Sequence, residues 1–539
     1  MAKSKVFKEK AAVNKIIDGI IENAEIVSKT FGYNGKDILI NRDGNTIITN
    51  DGVFVSNHIF LDDELEDLGS SLIRNITLNS DLISGDGTTS SAIITKGIVS
   101  RMKKILNKNN VDNLELKNGM LEAQKVVNNY FEKYRNKITK NDYYNVAFTT
   151  TRNEEISTLV SEVFEKIGSK GKVLFKESDA QGLSVEYQNG FTLEYGYETT
   201  MLPNILDNSL VALFKERINS VPVFQEIIKE AMLKEEKNLL IIVKDGIADA
   251  VMQVAIAVQQ SKDIDLNLSI VKISGSEKIV DRLFKDVSII TSSKIIDNSF
   301  NYKEPFLGFV KKVTITDKQT TLVDGNINKK ELKKHIENLT KTMVENRSES
   351  EKEDIRKRIG NLQGLVAIIK IGALSREKIG NYKDKIKDVV NSLRNAIDDG
   401  VVAGGGSVLF TISDEIKSKE KIKDKNKDFI RGYSIVLDSL KEPLKQIIYN
   451  SGYSENKSKN ILKEISNVNK FKIEKNTYSL SGFDAKDRAI SNLYEKGILD
   501  PYTTIINSFN NAIEISSMIA TLDCAVVTRT EVFKDEGRN

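Results

Sequence analysis

The feature that most restricts the fold of this chain is a change of hydrophobic period that happens twice. Towards the N-terminus Val13, Ile16, Ile17, Ile20 and Ile21 recur at i, i+3, i+4 spacing, which one buried helical stripe requires. The stretches 90–106 and 114–134 read the same way. So do Ile386, Val389, Val390, Leu393 and Ile397, and the stretch 505–522. The middle is different: the β-rich runs Asn238–Lys244, Leu266–Ser274 and Phe309–Asp317 alternate with helical stretches such as Ala248–Gln260. Strand, helix, strand in this rhythm predicts an α/β unit. The predicted fold is therefore multidomain, α and α/β, with a mostly helical domain interrupted by an α/β insertion to which the chain later returns. A length of 539 residues also exceeds a single compact core and predicts two to four domains. Pro203, Pro222 and Pro305 fall in the middle region, in keeping with shorter elements there. The basic run Lys417–Lys427 reads as a solvated helix face or loop.

Bulk chemistry excludes several functions. Lys and Arg total 79 against 76 Asp and Glu, a net charge of +3, so neither nucleic acid nor an anionic membrane is favoured as a partner. The one cysteine, Cys524, rules out an intrachain disulfide and suits a reducing compartment. The two histidines, His58 and His335, lie far apart with no metal-ligand spacing and are expected at the surface. No apolar run approaches the ~18 residues of a membrane span. The first residues are charged and then amphipathic, without the apolar core of a secretory signal, so a cytoplasmic protein is expected.

Three glycine-rich turns carry chemistry. Gly85-Asp86-Gly87-Thr88-Thr89-Ser90 runs straight into a helical stretch. Glycines let a ligand approach the backbone, and a new helix offers unpaired N–H groups and a positive dipole end. Asp86 is suited to hold magnesium between phosphate oxygens. An ordinary helix N-cap on a tight turn explains the same residues. The second turn, Gly404-Gly405-Gly406, also enters a helix; it is either a close backbone approach or a flexible hinge. The third, Thr49-Asn50-Asp51-Gly52-Val53, reads as a hairpin turn between strand-like 46–49 and 53–55. Asp388 lies in the helix leading to the glycine triplet, beside its apolar stripe. Together these suggest two glycine-rich loops and up to three acids around one nucleotide.

GDGTTS at Gly85, TNDGV at Thr49, VVAGGG at Val401 and GILDP at Gly497 resemble the group I chaperonins, the bacterial GroEL type. Lys370–Ala373, Glu442–Ile447 and Ser481–Ala485 agree, and the match spans nearly the whole chain in order. The resemblance implies a chaperonin architecture with a helical equatorial ATPase domain (1–132 and 400–539), a small intermediate domain (133–189 and 373–399) and an α/β apical domain (190–372). Gly190 and Gly372 match the family's hinge glycines. The interval between them leaves no room for the helical protrusion typical of group II. It further implies that Thr30, Phe31, Gly32, Tyr33, Asn50, Asp86, Gly87, Thr88, Thr89, Ser90, Gly405, Asp484, Ala485, Lys486 and Asp500 bind the nucleotide. Asp86 would hold the magnesium ion, with potassium a further candidate ion. Asp388 matches the acid that aligns the attacking water, and Asp51 lies close to the γ-phosphate.

The family's client-binding positions match Tyr197, Met201, Leu202, Phe224, Ile228, Val251, Ala255 and Ile256, for which the plainer reading is the core of an α/β domain. The implied function is an ATP-dependent chaperonin that binds non-native polypeptides on an apolar groove and folds them in a homo-oligomeric ring. A GroES-type co-chaperonin is a candidate partner. The rival readings are a chaperonin-like holdase with little or no ATP turnover, and an unrelated nucleotide-dependent metabolic enzyme. The chain also departs from the family. Asn50 replaces a lysine, Tyr33 a proline, and Glu198 an aliphatic residue. The segment Lys272–Ile279 lacks the family's paired arginines, and Asn450–Ser454 lacks acids expected where rings join.

Overall fold

A computed structural model gives the fold, and it describes residues 3–8, 10–42, 45–84, 87–168, 171–261, 263–297, 305–345, 349–373, 375–420, 425–470 and 479–529. The chain divides into two compact units, Met1–Glu162 with Gly380–Asn539, and Val163–Ile379. The expected helical frame and α/β insertion are both present. Segments 133–189 and 373–399 do not separate as a body of their own, so the three-domain division is a proposal. Among the described residues no helix is long and apolar enough to cross a membrane.

The first unit is helical. Its core is built by the helices Lys10–Ser28, Glu64–Ser84, Thr88–Leu106, Asn113–Tyr134, Ser407–Lys419, Lys427–Ser439 and Tyr502–Ala520. The predicted stripe lies inside it: Ile16, Ile17 and Ile20 are fully buried, each worth roughly 1.5–3 kcal/mol. Two helix pairs cross so closely that glycine is required on both partners. A Cβ on Gly19 would stand 1.8 Å from the Glu66 carbonyl oxygen, and one on Gly69 would stand 1.9 Å from that of Ile16. Gly119 and Gly432 repeat the arrangement, each 2.0 Å from a carbonyl oxygen of the other's helix. The chain ends are joined as an antiparallel ribbon, Lys3–Lys8 against Cys524–Arg529. A second ribbon pairs Ile38–Arg42 with Asn45–Thr49.

Residues 53–55 are not a strand. Asp51 caps the helix Gly52–Asn57, its Oδ1 accepting from the Val53 and Phe54 amides at 2.7 and 3.0 Å. An aspartate that satisfies two helix-start amides outweighs the β-preference of Val-Phe-Val.

The second unit is a nine-stranded mixed sheet flanked by helices. Its strands Ile205–Phe214, Asn238–Lys244 and Asn267–Ile273 run parallel. Such strands are covered on both faces, which explains the unbroken apolar run Leu239–Val243. Alternation sorts it: Leu239, Ile241 and Val243 pack with the helices Val221–Met232 and Asp249–Gln260 on one side. Leu240 and Ile242 join the core beneath Glu277–Thr291 on the other.

His335 corrects the expectation of a surface histidine. It is buried, its Nε2 2.7 Å from Asp286 Oδ1, and Arg358 donates to the same carboxylate from Nε and Nη2 at 2.9 and 2.8 Å. A carboxylate sunk in a helix–sheet interface needs such partners. His58 is half-buried and stacks on Phe54. Gly190 and Gly372 are both strand residues, and a neighbouring strand at the first and the bend at Ala180 at the second need them bare. A Cβ would meet Val366 Cγ2 at 2.0 Å from the first and the Ala180 carbonyl oxygen at 1.7 Å from the second.

Candidate nucleotide site and candidate client surface

Where the helix Lys10–Ser28 ends, the chain makes a tight loop closed by Lys36 N–H donating to the Lys29 carbonyl at 2.8 Å. Thr30, Phe31, Gly32 and Tyr33 lie on it. Gly32 has φ +78°, and a Cβ there would reach Ile447 Cγ1 at 2.7 Å. Asn450 Nδ2 caps the preceding helix, donating to the Ser28 and Phe31 carbonyls at 3.0 and 2.8 Å. Arg152 Nη1 holds the loop from the other side, donating to the Gly32 carbonyl and, at 3.3 Å, to that of Tyr33. Tyr33 itself is exposed, without the stiffness a proline would give.

The glycine triplet follows the short strand Val401–Ala403, which pairs with Leu499–Pro501 and sets Val402 opposite Asp500. Asp500 Oδ2 accepts from Gly405 N–H at 3.0 Å, and the Ile498 carbonyl accepts from Gly404 N–H at 2.9 Å. Gly405 and Gly406 are both left-handed, at φ +62° and +71°. Gly406 packs on Leu444 N, where a Cβ would stand at 2.7 Å. These glycines therefore answer to close packing, which favours the backbone-approach reading over a slack hinge. Ile447 lies against both Gly32 and Gly405, so the first loop and the triplet share a wall.

Gly85 and Asp86 lie outside the described residues, and the magnesium assignment to Asp86 lies there too. Gly87 begins the described part of the turn, left-handed at φ +86°, and caps the helix Thr88–Leu106 without a side-chain bond. Thr88 and Thr89 are half-buried and Ser90 is buried. A Cβ on Gly52 would come within 2.3 Å of Thr89 Oγ1 and 3.4 Å of Thr88 Oγ1, which brings Asp51 and Asn50 beside this turn. Ser407, whose Oγ lies against Gly482, and Thr504, whose Cγ2 lies against Gly87, each carry a buried hydroxyl without a protein partner. Left-handed glycines at the starts of two helices fit an anionic, phosphate-bearing ligand.

Asp484, Ala485 and Lys486 form the bend after the strand Ser481–Asp484. Asp484 Oδ1 accepts from the Lys486 and Asp487 amides at 2.9 and 3.1 Å, so its carboxylate shapes its own turn. The Ala485 carbonyl accepts from Asn34 at 2.9 Å, and this ties the bend to the first loop. Lys486 Nζ lies 5.5 Å above the Phe148 ring. Asp388 is half-buried on the helix Arg376–Asp399, about three turns before its C-terminal end, roughly 17 Å along the axis. The triplet and Asp500 meet the first loop at Ile447, and Asp51 lies beside the Thr88–Thr89 turn; Asp388 is carried on the helix that leads to the triplet. Asn34 and Arg152 went unnoticed in the sequence, and Ile447 stood out only as the end of the matching run Glu442–Ile447, without a role. Asn34 lay beside a recognised turn, whereas nothing local marks Arg152.

Among the apolar candidates of the second unit, Phe224, Val251 and Ala255 are fully buried, and Leu202 and Ile228 nearly so, all in one core. Tyr197 and Ile256 are half-buried and Met201 is 68% exposed. In this conformation only the last three have surface to offer. Glu198 sits against Gly246 with its Oε2 buried and unpartnered. Burial pushes its carboxyl above the ordinary value, against the opposing pull of the Ile247 amide, Lys272 and Arg217.

Residues 24–530 match the TCP-1/cpn60 chaperonin family. The chain is 30% identical, over 544 aligned residues, to Chaperonin GroEL of Acholeplasma laidlawii (strain PG-8A), covering 98% of this chain and 97% of that one. Its fold is similar to the crystal structure of the chaperonin gp146 from the bacteriophage EL 2 (Pseudomonas aeruginosa), obtained in the presence of ATP-BeFx. The TM-score is 0.71 at 18% identity, over 97% of this chain and 99% of that one.

Proposed function

Because the chain belongs to the TCP-1/cpn60 chaperonin family, we propose that it is an ATP-driven folding chaperone acting as a ring of identical subunits. The observation that carries the nucleotide reading is the meeting of residues from both chain ends at one place. Gly32 and Gly405 share Ile447, Asp500 holds Gly405, and Gly52 lies on Thr89. Bound Mg-ATP supplies the phosphoanhydride whose cleavage times the cycle. The Thr88 and Thr89 amides and hydroxyls would meet its phosphates, Asp86 its magnesium ion, and Asp500 its ribose side. Asp51 would stand near the γ-phosphate. Asp388 would align water after its helix swings in, consistent with its position several turns from the glycine triplet. Catalysis of this kind is mostly positioning and charge neutralisation.

The division into equatorial, intermediate and apical domains belongs to the same proposal. Non-native polypeptides would dock on the accessible apolar atoms of Tyr197, Met201 and Ile256, and on the deeper residues when the apical helices part. Ring assembly is supported by two ribbons, each bearing an exposed apolar cross-strand pair. Val6 opposite Val526 and Leu39 opposite Ile48 are all 56% or more exposed. Two-stranded ribbons are marginal alone in water and gain from a neighbour.

Magnesium-dependent ATPase assay, client-aggregation assay and native mass spectrometry on the purified protein test the reading together. ATP turnover, suppressed aggregation and a ring mass are expected. A particle of one or two chains in every nucleotide state would overturn the ring. A ring that protects clients without hydrolysing ATP would leave the holdase.

A further inference from the structure

Directly beneath the candidate phosphate turn, buried hydroxyls from two helices meet at one carbonyl, and a third helix backs one of them. Ser91 Oγ lies 3.1 Å from the Gly87 carbonyl oxygen and Ser508 Oγ lies 2.9 Å from it. Behind Ser91 the chain continues: Ser80 Oγ is 2.8 Å from Ser91 Oγ, and Asn511 Nδ2 donates to Ser80 Oγ at 3.1 Å. Ser80, Ser91 and Ser508 are all at most 1% exposed.

The direction of this chain is determined by its ends. The Asn511 amide nitrogen can only donate, and the Gly87 carbonyl can only accept. Asn511 therefore donates to Ser80, Ser80 to Ser91, and Ser91 to Gly87. Bonds aligned head to tail polarise one another in a low-dielectric interior. Ser508 has a single proton, which it shares between Gly87 and the Thr504 carbonyl, 2.7 Å away.

A peptide plane makes this matter to a ligand. The Gly87 carbonyl and the Thr88 N–H belong to one rigid trans unit and point in opposite directions. Holding the carbonyl into the interior aims the Thr88 amide outwards. Gly87, at φ +86°, is the helix N-cap, and its carbonyl also accepts the first helical bond, from Ser91 N–H at 3.1 Å; the serine hydroxyls add to that hold.

We infer that Ser91 and Ser508, with Ser80 and Asn511 behind them, are positioning residues that preset the Thr88 amide for an anionic phosphate. This rests on the nucleotide reading proposed above. It adds a second consequence: the Tyr502–Ala520 helix, which begins beside Asp500, fastens the triplet side of the site to the phosphate turn.

The test is calorimetric titration of the assembled protein with Mg-ADP, alongside ATPase kinetics. Each buried hydrogen bond contributes on the order of a fivefold factor. The double variant Ser91→Ala/Ser508→Ala should therefore weaken Mg-ADP binding by about 10–30-fold and raise KM for ATP in parallel, with kcat falling less than ~3-fold. Asn511→Ala, at the partly exposed end, should weaken binding by about 2–3-fold, and it carries the test alone if the double variant loses its native particle mass. An unchanged Mg-ADP affinity in a correctly assembled variant overturns the inference and leaves the nucleotide site standing. So does a loss confined to kcat, the mark of a smaller active fraction. Absence of Mg-ADP and Mg-ATP binding by the parent protein overturns the nucleotide reading itself, and the inference with it.

Discussion

The helical unit and the α/β unit place their candidate residues by opposite means. Around the glycine turns, position is set largely by backbone: left-handed glycines, neighbouring atoms within 3 Å of a would-be Cβ on Gly32, Gly87 and Gly406, and aspartates spent on amides. In the α/β unit the candidates are apolar side chains on two helices and on the segment before the strand Ile205–Phe214, and five of the eight are already committed to the core. A polar turn declares its geometry through the residue types it tolerates. An apolar helical stripe does not say whether it faces a sheet or a client.

The largest effect that would break this contrast is catalytic. Asp388→Ala should lower ATP hydrolysis by at least ~10²-fold with nucleotide binding and particle mass retained. Turnover at the parent rate would mean that a residue outside the candidate set does the work. Next, Leu39→Glu with Ile48→Glu should shift native mass spectra from rings to small species, because like charges directly opposite on a ribbon repel. Persistence of the full ring would remove that ribbon from the interface.

The contrast sharpens most in the client region. Val251→Ser removes a fully buried side chain and leaves a hydroxyl in its place, so it should destabilise the α/β unit by about 2–4 kcal/mol. Ile256→Ser and Met201→Ser should instead weaken client capture with little change in Tm. If both classes behave alike by thermal unfolding and by aggregation assay, the buried and accessible candidates are not separable.

Smallest is the proton effect at Glu198. Its folded-state pKa is raised above the unfolded one by burial. Its stabilising contribution is thus fully present at acid pH, where both states hold the proton, and is lost as pH rises through the folded value. Glu198→Gln keeps the shape without that loss. It should raise Tm at pH 7. Near pH 4 the gain should vanish. A gain equal at both pH values would detach it from the carboxyl.

Much of the frame was legible because period and turn chemistry are local. The helical stripes at 13–21 and 386–397 and the three middle strands were all readable within a dozen residues. What was not legible was one local cap and several long-range contacts. Val53–Val55 looked extended because its β-preferring side chains hide an aspartate N-cap. His335 looked superficial because Asp286 and Arg358 lie dozens of residues away and meet only when three helices pack. Arg152 reaches the Gly32 carbonyl from the left-handed end of a helix more than a hundred residues on, with no motif around it. Side chains that act at a distance in the chain leave no spacing to read.

The two glycine-on-glycine helix crossings have a bearing on lineage. This sequence is rich in Lys, Asn and Ile, the residues that compositional drift in a genome supplies most readily. Solvated faces can absorb such exchanges one codon at a time. Gly19, Gly69, Gly119 and Gly432 cannot: every replacement adds at least a methyl where a carbonyl oxygen already stands at 1.8–2.0 Å. They are register marks set by steric exclusion alone. Between distant relatives whose catalytic loops have been rewritten, pairs of glycines at matching helix positions would still fix the alignment of the helical frame.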